Sequence, residues 1–359
     1  MKKRLGNYTL KRLHLQSATL SVAVSIVVFL AGGILFFSGQ HALWNSMLQG
    51  SAPYVGASQQ PGISTISHLR AYMQERVDRI GSKGAYEELK RDYAERRFED
   101  QHTAAHLFGE LLYQKEGIHG VTFCDELFAF GCYHGFFGTA LSREGVGMIK
   151  ELDRACVEKF GTATGCQHGI GHGLMEYFGR GNLVAALRGC EQTTQKNPLH
   201  GCSSGVFMDY NEPVIFSGNN VNSSIRALNR DNPHEPCNTV VPEKFRSSCY
   251  FEIGLWWKHT LGDDYGKLGE LCRQVHDKEQ RTSCYLGLGN VAASSSEYDT
   301  AATIASCEKM SKAEGEMYCR VGAALRLLGT DTHGLDASRM CAYPDASREN
   351  ECRHLVAAP

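Results

Sequence analysis

Residues 166–176 read CQHGIGHGLME, and this short stretch combines the cysteine, glycine and histidine patterns that recur along the chain. His168, His172 and Glu176 follow one another at intervals of four residues, so on a helix their side chains share one face. Glycines lie between them, and each glycine in a helix interior costs roughly 1 kcal/mol relative to alanine. The stretch therefore predicts a helix that a neighbouring backbone, a metal or a ligand approaches closely.

Cys166 belongs to a repeat that extends over most of the chain. The fourteen cysteines form seven consecutive pairs whose members are 8 to 12 residues apart, and the pairs recur about every 35 residues with one longer interval. A period of this length indicates stacked supersecondary units. In each unit one helix is predicted to run into the first cysteine and a second helix to begin at the second cysteine. The pairs are Cys124/Cys132, Cys156/Cys166, Cys190/Cys202, Cys237/Cys249, Cys272/Cys284, Cys307/Cys319 and Cys341/Cys352.

The predicted fold class is therefore all-α, an αα-hairpin repeat solenoid, because the alternation typical of β-strands is nearly absent. Counting cysteines cannot fix their pairing. The in-register repeat, however, predicts one disulfide inside each hairpin, worth about 3 kcal/mol in the chain-entropy model. A glycine also recurs three residues after the second cysteine and predicts close helix packing. These positions are Gly135, Gly169, Gly205, Gly287 and Gly322.

This layout resembles the disulfide-stapled αα-repeat proteins of the tetratricopeptide and Sel1-like class. The resemblance covers about residues 120–355 and concerns the arrangement of helices and cysteines only. The Trp-Leu-Gly-Tyr pattern of tetratricopeptides is missing, and the Sel1-like cysteine spacing is shorter. The resemblance thus implies stacked helical hairpins, and no functional residue is carried over from it.

The N-terminus predicts a membrane anchor. A basic segment, residues 1–17, precedes an uncharged apolar run over residues 18–37, which is about the length that spans a bilayer. The positive-inside rule places the basic segment in the cytoplasm and the main domain in the periplasm or outside the cell. A cleaved signal peptide is the alternative, since it shares the basic start and apolar core. In both cases the cysteines reach an oxidising compartment, where disulfides persist.

Composition divides the remaining chain into three parts. Residues 38–62 are small, polar and uncharged, which is typical of a flexible stalk. Residues 63–119 predict three helices, over 63–80, 85–97 and 99–114, with a break at 81–84. Residues 120–359 form the disulfide-stapled repeat domain. The net charge of −2 gives no indication of a nucleic-acid partner.

The histidines occur in register in the first repeats. His106, His134 and His168 occupy equivalent positions on three successive helices, and packed helices lie about 8–10 Å apart. The four-residue spacing of His168, His172 and Glu176 also occurs at His102, His106 and Glu110. Side chains from both flanking helices are therefore predicted to converge on the middle one. The predicted metal ligands are His102, His106, His134, His168 and His172.

Imidazole ligands favour zinc, copper, iron or nickel, and an added carboxylate favours iron or manganese. Iron, copper or zinc is the predicted cofactor, and Glu110 and Glu176 are predicted to be a further ligand or a general base. A pH-sensing cluster and a structural polar core are the alternatives for these side chains. The predicted function is a metal-dependent oxidoreductase or hydrolase. The alternative is a non-enzymatic scaffold that binds a protein or peptide on the concave face of the array.

Overall fold

The computed structural model describes residues 66–96, 98–160, 165–194, 199–211, 228–328 and 334–357. Contacts divide the chain into a unit of Met1–Gly62 and a unit of Ile63–Pro359, and all described residues belong to the second. The predicted anchor and stalk lie outside the described residues. Within those residues, no helix combines the length and the apolarity required to cross a membrane.

The described part of the chain is all-helical: it contains fourteen α-helices joined by turns and short 3₁₀ segments, and it has no strand. The helices are α1 (Ile66–Tyr93), α2 (Phe98–Glu116), α3 (Gly131–Glu144), α4 (Ile149–Phe160), α5 (Gly165–Phe178), α6 (Leu183–Cys190), α7 (Cys202–Asn211), α8 (Arg246–Leu261), α9 (Tyr265–Arg273), α10 (Lys278–Ser295), α11 (Thr300–Glu308), α12 (Ala313–Leu328), α13 (Gly334–Met340) and α14 (Ala346–Ala357).

The first helices differ slightly from their predicted bounds. Helix α1 runs through the predicted break, but at Gly81 its backbone leaves helical geometry with φ 75° and ψ 162°. Glycine adopts a positive φ without steric cost, so the chain changes direction at this residue. The two helices predicted before and after residues 81–84 are thus the two segments of α1. The third predicted helix is α2, which ends two residues later than expected.

The cysteine pairing predicted from the repeat is confirmed. Seven disulfides join the members of the seven pairs, with Cα–Cα distances of 5.4 to 5.6 Å, and none of the fourteen cysteines is free. Four of them join two helices directly, as Cys272 near the end of α9 is linked to Cys284 of α10. The prediction that the second helix begins at the second cysteine is wrong in the later hairpins, because α10 begins at Lys278, six residues before Cys284. Each bridge therefore fixes the register of one helical hairpin.

The second helices of the hairpins form a central row. Along this row, α2 packs on α3, α3 on α5, α5 on α7, α7 on α8, α8 on α10 and α10 on α12. The first helices α4, α6, α9 and α11 each pack against the second helix of their own hairpin. The largest apolar core is continuous from α1 to α12, and two smaller clusters lie toward the C-terminal end. Side chains of successive central helices consequently lie beside one another.

Glycines bring the central helices into backbone contact. A Cβ added at Gly135 of α3 would lie well inside 3.0 Å of the His106 carbonyl oxygen of α2. The contact is reciprocal, because a Cβ at Gly109 of α2 would meet the Cys132 carbonyl oxygen in the same way. The predicted close packing is thus confirmed. Equivalent clashes with a neighbouring backbone would occur at Gly171, Gly205, Gly287, Gly289 and Gly322.

We predict that Gly289→Ala destabilises the protein. The new Cβ would collide with the Cys319 carbonyl oxygen, so α10 and α12 would have to separate. Overpacking of this kind costs about 1–3 kcal/mol or more. Gly147→Ala is the matched control, since no atom lies within 4 Å of its Cβ position. Thermal unfolding with disulfides intact should show a melting temperature several degrees lower for Gly289→Ala only. Equal melting temperatures for the two variants would contradict the packing described here.

Candidate metal centre

His134, His168 and His172 form a compact group at the contact between α3 and α5. One potential ligand atom from each lies within 4.8 Å of the other two. Their ring centroids are separated by 3.9 Å for His134 and His172 and by 4.9 Å for His168 and His172. His134 and His168 are buried, and His172 is partly buried. In the described residues no other three histidine, cysteine or acidic side chains approach one another this closely.

The local sequence explains why these imidazoles meet. His168 and His172 are four residues apart on α5, so they project from one face of that helix. Glycines on the same helix let α3 come close: a Cβ at Gly173 would lie 2.7 Å from the Phe137 carbonyl oxygen of α3. This approach places His134, three residues before Phe137, against the two imidazoles of α5.

The nitrogen positions suit a transition-metal ion. The Nε2 atoms of His168 and His172 are 3.1 Å apart. Two nitrogens bound at 2.0–2.1 Å to a tetrahedral zinc ion lie about 3.3 Å from each other. Nε2 of His134 is buried and has no hydrogen-bond partner among the residues that the structure describes. An unsatisfied buried polar group costs about 1–3 kcal/mol, and a metal–nitrogen bond would remove that cost. The three histidines therefore lie close enough to bind a metal ion.

Burial keeps these imidazoles neutral. It lowers the pKa of His168 to about 3, and His200 and Arg326 add smaller effects in the same direction. It also lowers the pKa of His134 and His172 well below the ordinary value, with further contributions from the neighbouring histidines. Only the neutral form offers a lone pair to a metal. The group is therefore in its ligating form at neutral pH.

His102 and His106, the other two predicted ligands, lie outside the compact group. The His102 ring is 5.1 Å from that of His134, and its Nδ1 is 2.9 Å from the Phe128 carbonyl oxygen, to which it donates. Nδ1 of His106 is 3.2 Å from Oε1 of Glu110 on the same helix. The structure thus brings together three of the five predicted ligands. Each of the other two has a hydrogen-bond partner in the protein.

The two predicted carboxylates have different surroundings. Glu110 pairs with Arg70 and His106; burial acts to raise its pKa, but these partners outweigh burial and lower it. Glu176 is an exposed residue, although its Oε2 occupies the space that a Cβ on Gly138 of α3 would need. Burial of that carboxyl group raises the pKa of Glu176. Among the described residues, no cationic side chain forms an ion pair with Glu176, whereas Arg70 pairs with Glu110.

Three charged or titratable residues near the histidines were missed by sequence reasoning. Burial lowers the pKa of His200 to about 4 and raises the pKa of Asp209 to about 6. The charge of Arg326 on α12 makes a small contribution to the lowered pKa of His102 and His168. Asp209 and Arg326 both lie seven residues after the second cysteine of their pair. Comparing polar residues at that one repeat position would have identified both.

No family model, curated protein or solved structure matches this chain. The resemblance to tetratricopeptide and Sel1-like proteins therefore stays a prediction based on layout.

We predict that the metal-free protein loses stability as the pH falls from 7 to 5. The folded pKa values of His102, His168 and His200 are about 4, 3 and 4, against about 6.5 in an unfolded chain. Below pH 6.5 the unfolded chain therefore binds protons that the folded protein does not. This stabilises the unfolded state by about 2 kcal/mol for each histidine at pH 5.

Chemical denaturation in the presence of a chelator measures this effect. Above pH 7 the protonation of these histidines should not affect the free energy of unfolding. From pH 6.5 toward pH 4 the free energy of unfolding should fall steadily. A His102→Gln variant should show a shallower decline than the parent protein, because one of the histidines that gain a proton on unfolding is removed. A stability that is the same at pH 7 and pH 5 would show that these imidazoles are not buried and neutral.

Proposed function

We propose that the protein is a metalloprotein whose ion is bound by His134, His168 and His172. The observation that carries this proposal is the unsatisfied Nε2 of His134 beside two imidazole nitrogens only 3.1 Å apart. Three protein ligands leave a coordination position for water or substrate, which is typical of catalytic zinc sites. Structural zinc sites, in contrast, have four protein ligands.

The donor atoms restrict the choice of metal. The three donors are neutral nitrogens, and all fourteen cysteines are in disulfides, so no thiolate competes. Imidazole donors suit zinc and copper, and iron commonly adds a carboxylate, which Glu176 would have to supply. Zinc or copper is therefore the first choice, and iron is the choice that requires Glu176 as a ligand.

The proposed activity depends on which metal ion the site binds. A zinc ion with three neutral ligands lowers the pKa of its bound water, and Glu176, one helical turn beyond His172, would accept the proton in a hydrolase. With copper or iron the same site would support an oxidoreductase. A non-enzymatic scaffold, with a protein or peptide on the concave face of a repeat solenoid, is the second candidate. It is favoured by the His168–His172 hydrogen bond, which satisfies two imidazole nitrogens without an ion.

Metal content tests the proposal. Protein produced in an oxidising compartment and purified without chelators should contain about one equivalent of zinc, copper or iron. A His168→Ala/His172→Ala variant should lose that metal, because two of the three ligands are gone. A His119→Ala/His276→Ala variant is the control, since both of its histidines are exposed and far from the group in sequence. A folded parent protein without stoichiometric metal would contradict the proposal. The non-enzymatic scaffold would then be the remaining candidate function.

We also propose that the protein is anchored by one N-terminal helix, with the helical repeats in the periplasm or outside the cell. The seven disulfides support an oxidising location. A protease added to the outer side of the cytoplasmic membrane should cut within residues 38–62 and release a fragment that retains all seven bridges. Complete protection of the repeats from that protease would contradict this orientation.

A further inference from the structure

A second concave site lies away from the histidines, where α1, the 3₁₀ segment Gly117–Phe123 and the end of α4 meet. It is a pocket of about 280 Å³, and none of its lining residues is a histidine. Small-molecule sites commonly measure about 300–1,000 Å³, so this pocket lies just below that range and has room only for a compact compound such as one with a single ring. Its position on three separate elements makes it a property of the folded protein rather than of one helix.

The charges in this pocket are unbalanced. Three lysines and two carboxylates line it, which leaves one excess positive charge. Lys90 is paired with both carboxylates, at 2.7 Å from Glu87 and 3.0 Å from Asp125. Lys83 and Lys159 form no ion pair with any residue that the structure describes. Both lysines line the pocket and are exposed at its rim, so two ammonium groups without an anionic partner among the described residues give this concave surface a positive field.

The walls of the pocket are aromatic and held in place. Tyr86, Phe123 and Phe160 contribute rings, and Lys159 lies 5.8 Å from the centroid of the Phe160 ring. The Tyr86 hydroxyl donates to Oδ1 of Asp125 at 2.9 Å, which ties α1 to the segment that carries Cys124. Cys124 is in turn bridged to α3 through its disulfide. The side of the pocket formed by Tyr86, Cys124 and Asp125 is thus held in place by these contacts.

We propose that this pocket binds a small aromatic anion, with its charged group between Lys83 and Lys159 and its ring against Phe160. The two ammonium groups would attract the anionic group of the ligand, and the apolar rings would contact its aromatic ring. A cationic ligand is disfavoured, because Lys90 already occupies both carboxylates. This site is independent of the proposed metal centre, whose ligands lie on α3 and α5.

Phenyl phosphate is a suitable probe, and isothermal titration calorimetry of the full chain in detergent with a chelator present measures its binding. The parent protein should bind phenyl phosphate at least about tenfold more tightly than inorganic phosphate or benzyl alcohol. Lys83→Gln/Lys159→Gln should weaken binding about tenfold or more, because both partners of the anion lose their charge. Lys309→Gln/Lys312→Gln is the control, since these exposed lysines lie on another part of the chain.

Two further variants separate the parts of the proposal. Phe160→Leu should reduce the advantage of phenyl phosphate over inorganic phosphate, because the ring loses its aromatic contact. His168→Ala/His172→Ala should leave binding unchanged, which distinguishes this pocket from a metal-bound phosphate. The absence of binding to the folded parent protein, or equal binding by the Lys83→Gln/Lys159→Gln variant, would overturn the proposal. Inorganic phosphate binding as tightly as phenyl phosphate would overturn the aromatic part.

Discussion

Direct contact between the backbones of neighbouring central helices is the constraint on which the rest of the structure depends. At successive steps of the row a glycine of one helix faces a carbonyl oxygen of the next, and no side chain fits between them. Several of these oxygens belong to the histidines themselves, as Gly135 faces His106 and Gly205 faces His168. The disulfides hold the hairpins in register, and four of these glycines, Gly135, Gly205, Gly287 and Gly322, lie three residues after the second cysteine of their pair. The packing that builds the fold therefore also sets where the imidazoles lie.

Much of the fold was predictable because its determinants are local in sequence. Each disulfide closes a loop of 8 to 12 residues, so the cysteine period alone predicted all seven bridges and the hairpins that carry them. The change of direction at Gly81 was predictable for the same reason, since a glycine with φ 75° interrupts helical geometry within a few residues. The C-terminal extension of α2 by two residues is a boundary effect, because helix ends depend on the turn that follows.

The site was only partly predictable, because the partners of its side chains come from distant segments. Repeat position correctly grouped His134 with His168, but it gave no information on Arg70, which holds Glu110 beside His106. Nor did it indicate that Phe128 would present its carbonyl to His102. That carbonyl lies in a turn where residues 128, 129 and 130 all have positive φ, from 52° to 62°, without a glycine. Such a turn is stabilised by its surroundings, so it has no characteristic local sequence from which it could be predicted.

The proposed site offers little negative charge to a bound cation. The three close histidines are neutral and Glu110 is paired with Arg70, so of the two predicted carboxylates only Glu176 is left to offset the charge of an ion. If the group binds an ion, that ion would polarise its bound water strongly. A purely structural polar core should satisfy Nε2 of His134, which has no hydrogen-bond partner in the described part of the chain.

X-ray absorption spectroscopy at the metal edge reports the ligands of the ion in the intact protein, so it tests whether His134, His168 and His172 bind it. We expect three imidazole nitrogens at about 2.0–2.1 Å, with the outer-shell scattering that histidine rings produce. Sulfur ligands at about 2.3 Å would contradict this expectation, as would a shell of oxygen atoms without histidine scattering.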